Sequence, residues 1–439
     1  MKFGPHRRGR SPTNENVKHK HPARGLAQFC RPMHRYGPKR LIGALRAGPA
    51  RMVCGLGRHL AVATSLERIG FHPVWLGRAY DVVERFVDQG MIPGAVVQAG
   101  TSEGMLPPIA FGEASWEPVR RPARVDTIYD CASLTKVVVT TTLALNLIER
   151  GKISLDDWVS DWVPEFLELA PDRAIGNRTE RSVREGVTVR HLLTHTSGLA
   201  AWAPLYERAT GPDAILQALC REPLASEPEI DVVYSCLGFI LLGTLIEREE
   251  GMALDQLAKQ EIFGPLGMAD STFNPAPALL PRIAPTEREV DQVVHGVVHD
   301  ENARARGGVS GNAGLFSTAS DLSRFAQCVM RLRRGQPAKI LSPVVVQAAT
   351  RNYTEGLSEP RGLGWQLRSK TMSSCGDLFG PKSFGHTGFT GTSLWIDPDQ
   401  DLFVVLLTNR VHPTRENATH LRLRPLFHNA IAAARAFSH

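Results

Sequence analysis

An unusually apolar helix follows Ser133 and sets the first constraint on the fold. The stretch CASLTKVVVTTTLALNLIE, which runs from Cys131 to Glu149, carries aliphatic side chains nearly all round its helical circumference. A helix that is apolar on every side must be enclosed by other elements on every side. The sequence therefore predicts a domain in which this helix is central and surrounded by further secondary structure.

Lys136 lies inside this stretch, one helical turn after Ser133, so the two side chains share one helix face. Burial strips an ammonium group of its hydration and is therefore expected to lower the pKa of the lysine. A neutral amine can take the proton of a serine hydroxyl, which is a poor nucleophile until then. The pair is either a nucleophile with its base or a chance occurrence of the short Ser-x-x-Lys pattern.

Tyr234 and Ser235 directly precede a second apolar stretch, which begins near Leu237 and predicts a helix. A tyrosine at the start of a helix can present its hydroxyl to a cleft and transfer protons there. The alternative is a core tyrosine whose hydroxyl is satisfied by a neighbour.

His386-Thr387-Gly388 precedes a predicted strand near the end of the chain. Glycines at 385, 388 and 391 let a ligand approach the backbone closely. The backbone N–H of Phe389 and that of Ser133 are candidates for an oxyanion hole. Taken alone, the histidine is as compatible with a structural role as with a functional one.

Hydrophobic periodicity places strands at both ends of the folded region and helices between them. The predicted elements are an N-terminal helix with Tyr80, Val83, Phe86 and Val87 on its apolar face, strands at 94–100, 109–113, 392–398 and 402–409, and helices at 237–251, 254–267, 321–332 (with Ser320 as N-cap) and 424–437. This order predicts an α+β fold, in which one antiparallel sheet is built from the N- and C-terminal segments and is flanked by helices. A mostly helical region is inserted between the two segments.

These patterns give a division of the chain into a leader and one domain. We assign residues 1–73 to a basic, disordered leader or upstream extension, and 74–439 to the domain. Within the domain, 74–152 and 311–439 contain the sheet, and 153–310 is mainly helical.

The positive charge of the chain is concentrated near its beginning. Residues 1–60 hold 14 Lys and Arg against one acid, so the remainder carries a net charge of −6 although the whole chain carries +7. A basic tail can contact nucleic acid or anionic lipid, but the acidic balance of the remainder predicts no nucleic-acid partner for the domain.

Neither a membrane span nor a cysteine framework is predicted. The sequence has no run of about 18 apolar residues, so no transmembrane segment is predicted, and Arg58 and His59 argue against a signal peptide after Met52. The sequence leaves the compartment open between the cell envelope and the cytoplasm. The seven cysteines follow no disulfide or metal-site spacing.

Three patterns imitate other functional sites. Gly100–Gly104 matches the G-x-S-x-G elbow of α/β-hydrolases, but prolines at 107 and 108 follow where that elbow needs a helix. His191 and His195 have the spacing of two zinc ligands but lack the glutamate of a metalloprotease. His299-Asp300 either lines a cleft or ties two loops together, and we favour the structural role.

Three motifs in this order carry a resemblance: Ser133-x-x-Lys136, Tyr234-x-Cys236 and His386-Thr387-Gly388. They resemble the motifs of the serine hydrolases that include class C β-lactamases, D-alanyl-D-alanine carboxypeptidases and related esterases. The similarity runs from about residue 78 to 412 and includes HLLTHTSGL (191–199) and GGVSGNAGLFSTASDLSRFAQ (307–327). RIAPTE (282–287) and VVHDENA (297–303) resemble the branch associated with bacterial cell-wall turnover, some of whose members are muropeptide amidases. The resemblance implies a β-lactamase/transpeptidase-like fold.

The resemblance implies that Ser133 is the acylated nucleophile, Lys136 its proton partner and Tyr234 the proton shuttle to the leaving group. Two positions depart from the family pattern. Cys236 stands where asparagine is usual and lacks the paired donor and acceptor of an amide. His386 stands where penicillin-interacting members carry lysine, and an unperturbed histidine is mostly neutral near pH 7. Arg410 is a candidate to replace that cation for a substrate carboxylate.

These expectations combine into an acyl-enzyme hydrolase of an ester or amide, with a cell-wall muropeptide among the candidate substrates and no metal or organic cofactor. The two departures favour an ester or a cell-wall amide over efficient β-lactam hydrolysis. The alternatives are a carboxylesterase, a β-lactamase or D-alanyl-D-alanine carboxypeptidase, and a non-hydrolytic penicillin-binding-type sensor, which Cys236 motivates. The sequence gives no oligomeric state. Cys236 acting as the nucleophile would lack an evident base of its own.

Overall fold

A computed structural model describes residues 69–290 and 292–435 of the chain. The basic segment, the Met52 stretch and all but the last residues of the predicted leader lie outside these ranges. Within them, the principal helices are α1 (Pro73–Asp88), α2 (Thr142–Glu149), α3 (Cys236–Glu250), α4 (Ala319–Arg333) and α5 (His420–Ala433).

The described residues form an antiparallel sheet of seven strands that draws on both ends of the domain. Its strands are β1 (Gly94–Gly100), β2 (Ile109–Ser115), β3 (Arg121–Pro122), β4 (Gln366–Leu367), β5 (Phe384–Thr387), β6 (Ser393–Asp397) and β7 (Leu402–Thr408). They are ordered β4-β5-β6-β7-β1-β2-β3. The predicted sheet from the N- and C-terminal segments is confirmed.

The junction of the two terminal segments is the pairing of β1 with β7, in which Ala95 lies opposite Thr408 and Gly100 opposite Phe403. Every residue of both strands is buried. Their sequences are continuous apolar runs rather than alternating ones because both faces of the sheet are covered. The hairpin of β6 and β7 has the predicted position, within one residue at each end.

One face of the sheet is covered by α1 and α5. Val83 and Phe86 of α1, which were predicted to face the core, are buried with Phe427 and Ile431 of α5. The C-terminal helix begins at His420 rather than at the predicted residue 424, and it encloses Pro425. Trp395 of β6 packs into the same cluster.

The other face of the sheet meets α4 and, behind it, the apolar helix that follows Ser133. This helix begins as a π-helical segment, Lys136–Thr141, in which every residue is buried, and continues as α2. Its predicted central position is therefore confirmed. The N-cap of α4 is Thr318, whose side chain accepts from the N–H of Asp321, and not the predicted Ser320.

The region from 153 to 310 consists of short helices and loops around α3. Its shorter α-helices are Glu165–Glu168, Glu180–Arg184, Val189–Thr194, Pro212–Cys220, Leu254–Ala258, Gly264–Leu266 and Glu301–Ala305, and its 3₁₀-helices are Val159–Asp161, Leu205–Glu207 and Pro277–Arg282. Another short α-helix, Pro343–Ala349, lies outside this region, after α4. The helix predicted at 254–267 is confirmed as one continuous helical stretch, in which a π-helical segment, Lys259–Phe263, lies between the α-helical segments Leu254–Ala258 and Gly264–Leu266.

Three pairs of two-residue strands lie outside the main sheet: Tyr129–Asp130 with Phe316–Ser317, Ala174–Ile175 with Arg178–Thr179, and Arg288–Glu289 with Gln292–Val293. The first pair leads directly into the nucleophile motif. In the part of the chain that the structure covers, no helix combines the length and the apolarity needed to cross a bilayer.

Candidate active site

A tight turn positions Ser133 at the start of the central helix. The N–H of Leu134 donates to the carbonyl of Cys131, and the N–H of Thr135 donates to that of Ala132. Ala132 has a φ of 46°, in the left-handed region that is costly for a residue with a Cβ atom. Ser133 thus follows a strained position, and its side chain is only partly buried.

Lys136 is fully buried and its Nζ has three hydrogen-bond partners. Its Nζ lies 3.1 Å from the Oγ of Ser133, 3.0 Å from the carbonyl oxygen of Asn312 and 3.5 Å from the Sγ of Cys236. The carbonyl of Asn312 can only accept, whereas the hydroxyl of Ser133 and the thiol of Cys236 can each accept or donate. The structure therefore brings together residues from the first two predicted motifs.

The expectation that burial leaves Lys136 with a lowered pKa is wrong. Burial is the largest single influence and does lower the pKa, but attraction to Cys236 and Tyr234 outweighs it and raises the pKa above the ordinary value. The helix sequence alone predicts apolar surroundings for Lys136. Its polar partners, Tyr234 and Cys236, come from a segment more than 90 residues further along the chain.

Tyr234 faces both members of the first motif. Its hydroxyl lies near Lys136 and Ser133, both of which influence its pKa, and its ring centroid lies 4.9 Å from the Nζ of Lys136. Burial raises the pKa of Tyr234, while the nearby ammonium of Lys136 opposes that shift. Ser235 caps α3 by accepting from the N–H of Gly238, which fixes Tyr234 at the entrance of the helix.

Two histidines flank the ring of Tyr234. The ring of His386 is 5.7 Å from it, and the ring of His195 is 4.7 Å from it. The Nδ1 of His386 donates to the carbonyl of Thr387 at 2.8 Å, because a carbonyl can only accept. The Nδ1 of His195 accepts from the N–H of Ser235 at 3.0 Å. Burial lowers the pKa of both histidines well below the usual value, so both are neutral near pH 7.

The third motif closes against the nucleophile turn. Gly388 lies so near Cys131 that a Cβ added to it would stand 2.5 Å from the carbonyl oxygen of Cys131. The hydroxyl of Thr392 donates to the same carbonyl at 3.0 Å. This close approach sets Phe389, the residue after Gly388, beside the turn that carries Ser133. His386 and Thr387 lie at the end of β5, a short strand that was not predicted, and the motif precedes β6, the strand that was predicted after it.

Phe389 is half exposed at the mouth of this site, and Arg410 and His299 hold its ring. The guanidinium carbon of Arg410 lies 4.3 Å from the ring centroid, and the His299 ring stacks at 5.7 Å. The Nε of Arg410 donates to the carbonyl of Phe389 at 2.8 Å, and its Nη1 donates to that of Asn417 at 2.8 Å. These bonds tie Arg410 to the loop that carries the third motif.

A model of the β-lactamase family matches residues 80–428 of this chain. The chain belongs to the β-lactamase family. Its fold, with an antiparallel sheet and a helical region, is that of β-lactamases and transpeptidases, and it is a serine hydrolase of this family.

A relative from Escherichia coli (strain K12), named "Putative D-alanyl-D-alanine carboxypeptidase", is 32% identical over 322 residues, which cover 67% of this chain and 71% of that protein. Among solved structures, EstCE1, a hydrolase with promiscuous acyltransferase activity, is similar with a TM-score of 0.66 at 23% identity, covering 82% of this chain and 98% of the other. A class C β-lactamase is similar with a TM-score of 0.64 at 21% identity, covering 82% and 96%.

The patterns that imitated other sites have structural partners in this β-lactamase-family protein. The hydroxyl of Ser102 donates to Asp401 at 2.9 Å in a turn after β1. The Nδ1 of His191 accepts from the N–H of Thr188 and forms a capping box. Across residues 69–290 and 292–435, no group of three or more His, Cys, Asp or Glu side chains is arranged to hold a metal ion.

Sequence reasoning overlooked residues that contact the site from distant segments. His195 was considered as a zinc ligand, whereas it is the left-handed C-cap of Val189–Thr194 and its ring packs on Tyr234. Asn312 was not singled out, although its carbonyl accepts from Lys136. Both lie within spans that resemble the family, which was the one available signal for them.

Proposed function

We propose that this β-lactamase-family protein hydrolyses an ester or amide through an acyl-enzyme on Ser133. The observation that carries the proposal is the contact of a buried Lys136 with the Oγ of Ser133 at 3.1 Å, with the ring of Tyr234 4.9 Å from the same Nζ. Such a cluster can take the proton of the serine hydroxyl and pass it to the leaving group, so that the proton is not released to solvent.

The reactive form is the one in which the Lys136–Tyr234 pair has lost one proton. The pair takes the proton of the Ser133 hydroxyl while Oγ bonds to the substrate carbonyl carbon. The N–H groups of Ser133 and Phe389 donate to the resulting oxyanion. The bond to the leaving alcohol or amine then breaks, and Tyr234 returns the proton to it. Water repeats the sequence on the acyl-enzyme, which releases the acid and restores Ser133.

For the natural substrate we propose a cell-wall peptide, an amide that ends in a carboxylate. The carboxypeptidase name of the relative at 32% identity supports this class, as do the RIAPTE and VVHDENA segments. His386 is neutral and does not supply a cation for that carboxylate. We assign the contact to Arg410, whose Nε and Nη1 are engaged by carbonyls, through its remaining nitrogen, Nη2. Thr387, Gly388 and Cys236 complete the wall of the substrate site.

The nucleophile is tested by labelling. A fluorophosphonate is expected to label the wild-type protein at Ser133, and Ser133→Ala is expected to lose the label because the attacking oxygen is gone. Intact-protein mass spectrometry measures the adduct, and circular dichroism checks that the variant is folded. Ser102→Ala is the matched control, because Ser102 is the serine of the Gly100–Gly104 stretch that imitates a G-x-S-x-G elbow, and this variant is expected to keep the label. A label that persists in Ser133→Ala contradicts the assignment.

The carboxylate contact is tested by a pair of substrates. The wild type and the Arg410→Gln variant are each given acetyl-D-alanyl-D-alanine and its C-terminal amide, and kcat/KM is measured for each substrate. Arg410→Gln is expected to reduce the ratio of acid to amide about tenfold or more, because a charge-assisted hydrogen bond contributes about 1.5–3 kcal/mol. If the substitution also displaces Phe389, which Arg410 bonds, kcat/KM falls for both substrates alike and the ratio does not change for that reason. An unchanged ratio would remove Arg410 from the substrate site.

A second candidate function is a non-hydrolytic sensor, which the position of Cys236 favours. Its Sγ contacts Lys136 where the family has an amide, so deacylation by an ordered water is weakened. This candidate predicts labelling of Ser133 without turnover. Multiple-turnover hydrolysis of p-nitrophenyl acetate that disappears in Ser133→Ala excludes it.

A further inference from the structure

Asp130 is a fully buried carboxylate that precedes the nucleophile turn by two residues. Its Oδ1 accepts from the N–H of Ala132 at 2.8 Å, and its Oδ2 accepts from the N–H of His299 at 2.7 Å. Two backbone donors on separate segments are thus held by one side chain. A buried carboxylate needs such donors, because leaving it without partners is costly.

The first of these bonds acts on a strained position. Ala132 has its φ at 46°, and residues with a Cβ atom keep such a conformation only where neighbouring groups impose it. The bond from its N–H to Asp130 closes the turn directly before Ser133. The direction of the next N–H group, that of Ser133, depends on this turn.

The main-chain carbonyl of Asp130 reaches the other side of the proposed oxyanion hole. It accepts from the hydroxyl of Thr390 at 2.7 Å, and Thr390 directly follows Phe389. The second bond of the carboxylate extends to His299, whose ring stacks on Phe389. Each proposed oxyanion donor therefore has an adjacent residue bonded to Asp130.

We propose that Asp130 is the positioning residue of the oxyanion hole, which fixes the separation and direction of the N–H groups of Ser133 and Phe389. It does not touch the substrate; its carboxylate acts through Ala132 and His299, and its main-chain carbonyl acts through Thr390. The inference rests on the proposed function of Ser133. The role goes beyond the three motifs, and it assigns a function to a carboxylate that those motifs do not include.

The first test is Asp130→Asn, which preserves volume but replaces one acceptor oxygen with an amide group that cannot accept from an N–H. Loss of one oxyanion donor typically reduces kcat by about 10²–10³-fold. With p-nitrophenyl acetate we expect kcat to fall about 100-fold while KM stays within about threefold of wild type. The affinity for phenylboronic acid, whose tetrahedral adduct places an oxygen in the hole, is expected to fall by a similar factor.

Asp321→Asn is the matched control for loss of a buried carboxylate. Asp321 is also buried, and its Oδ2 accepts from the N–H of Asp270 at 2.8 Å and the hydroxyl of Ser271 at 3.0 Å. It lies at the start of α4, and its hydrogen bonds are to Asp270, Ser271, Thr318 and Arg324, none of which belongs to the three motifs. This variant is expected to lower the melting temperature as Asp130→Asn does, but to retain wild-type kcat and boronate affinity.

A second pair of variants decides the matter if Asp130→Asn does not fold. Thr390→Val removes the hydroxyl that bonds to the Asp130 carbonyl, and about a tenfold loss in kcat and in boronate affinity is expected from the resulting misalignment. Thr390→Ser keeps the hydroxyl and is expected to restore most of both. Equal behaviour of Thr390→Val and Thr390→Ser overturns the proposal.

The outcomes separate this proposal from the proposed function. If the wild type binds phenylboronic acid and is labelled at Ser133, but Asp130→Asn stays within threefold of it in kcat and boronate affinity, only the role of Asp130 is overturned. If the wild type is neither labelled nor inhibited, the assignment of Ser133 fails and the role of Asp130 fails with it.

Discussion

At the residue scale, the proposed chemistry depends on how protons are shared among Lys136, Tyr234 and Cys236. The Nζ of Lys136 hydrogen-bonds with Ser133 and Cys236, and it lies 4.9 Å from the ring centroid of Tyr234. Because the pKa values of Lys136 and Tyr234 are both raised, the pair loses its first proton at alkaline pH. We therefore expect kcat/KM for an ester to rise with pH into the alkaline range.

Cys236→Ala tests this coupling. Attraction to Cys236 raises the pKa of Lys136, so removing the thiol is expected to lower that pKa and to move the alkaline rise in kcat/KM to lower pH by roughly one unit. The measurement is a pH–rate profile with p-nitrophenyl acetate. Cys328→Ala, which removes a buried thiol in α4, should keep the wild-type profile. A profile of Cys236→Ala that does not move, or moves upward, would show that the thiol has no such influence.

At the scale of single elements, the short helix Glu180–Arg184 anchors the helical region through a buried ion pair. Both side chains are fully buried. Arg184 donates to the carbonyls of Phe166 and Cys220, and Glu180 accepts from the N–H of Leu224. One ion pair thus joins four backbone segments, and removing one partner would leave the other charge buried without compensation.

Glu180→Gln is expected to lower the free energy of unfolding by about 3–5 kcal/mol, because Arg184 keeps its buried charge and loses its counterion. Urea denaturation followed by circular dichroism measures the change. Asp156→Asn is the control, since Asp156 pairs with Arg190 at the surface and its side chain is 74% exposed; a change below about 1 kcal/mol is expected there. Similar losses in the two variants would refute an anchoring role for the buried pair.

At the scale of the whole molecule, a charge network joins the helical region to the C-terminal segment. Glu287 accepts from His299 and from Arg415, and Arg415 also donates to Glu301. Burial tends to raise the pKa of Glu287, but its bonds to His299 and Arg415 prevail and lower the pKa to about 2. Because the folded-state pKa lies below the ordinary value of 4.5, this carboxylate stabilises the fold above that value. The contribution is lost as the pH falls towards 2.

Glu287→Gln is therefore expected to lower the free energy of unfolding at pH 7 by about 2 kcal/mol and to flatten its decline between about pH 4.5 and 2. Chemical denaturation at a series of pH values gives both quantities. Glu113→Gln, which removes a surface partner of Arg120, serves for comparison and should alter neither by more than about 0.5 kcal/mol. An acid decline as steep as that of the wild type would show that Glu287 is not its source.

Four strands of the sheet (β1, β2, β6 and β7), the principal helices and the central position of the helix after Ser133 could be predicted from local hydrophobic patterns. The short strands β3, β4 and β5 and the bounds of α5 could not, because strand pairing and packing in the fold set them. The sequence also brought forward Ser133, Lys136, Tyr234 and His386 as a set, through their resemblance to a family. It did not indicate His195, Asn312 or Asp130, whose contacts with the site join segments distant in the chain.

The amino-acid order by itself determined that an apolar helix carries a lysine one turn after a serine, and that strands from both ends supply one sheet. Only the tertiary structure decided the proton state of that lysine. Burial, which the sequence implies, lowers its pKa, whereas Cys236 and Tyr234, which lie about a hundred residues further along the chain, raise it. Electrostatic interactions depend on distance in space, and distance in space is fixed by the fold and not by local sequence.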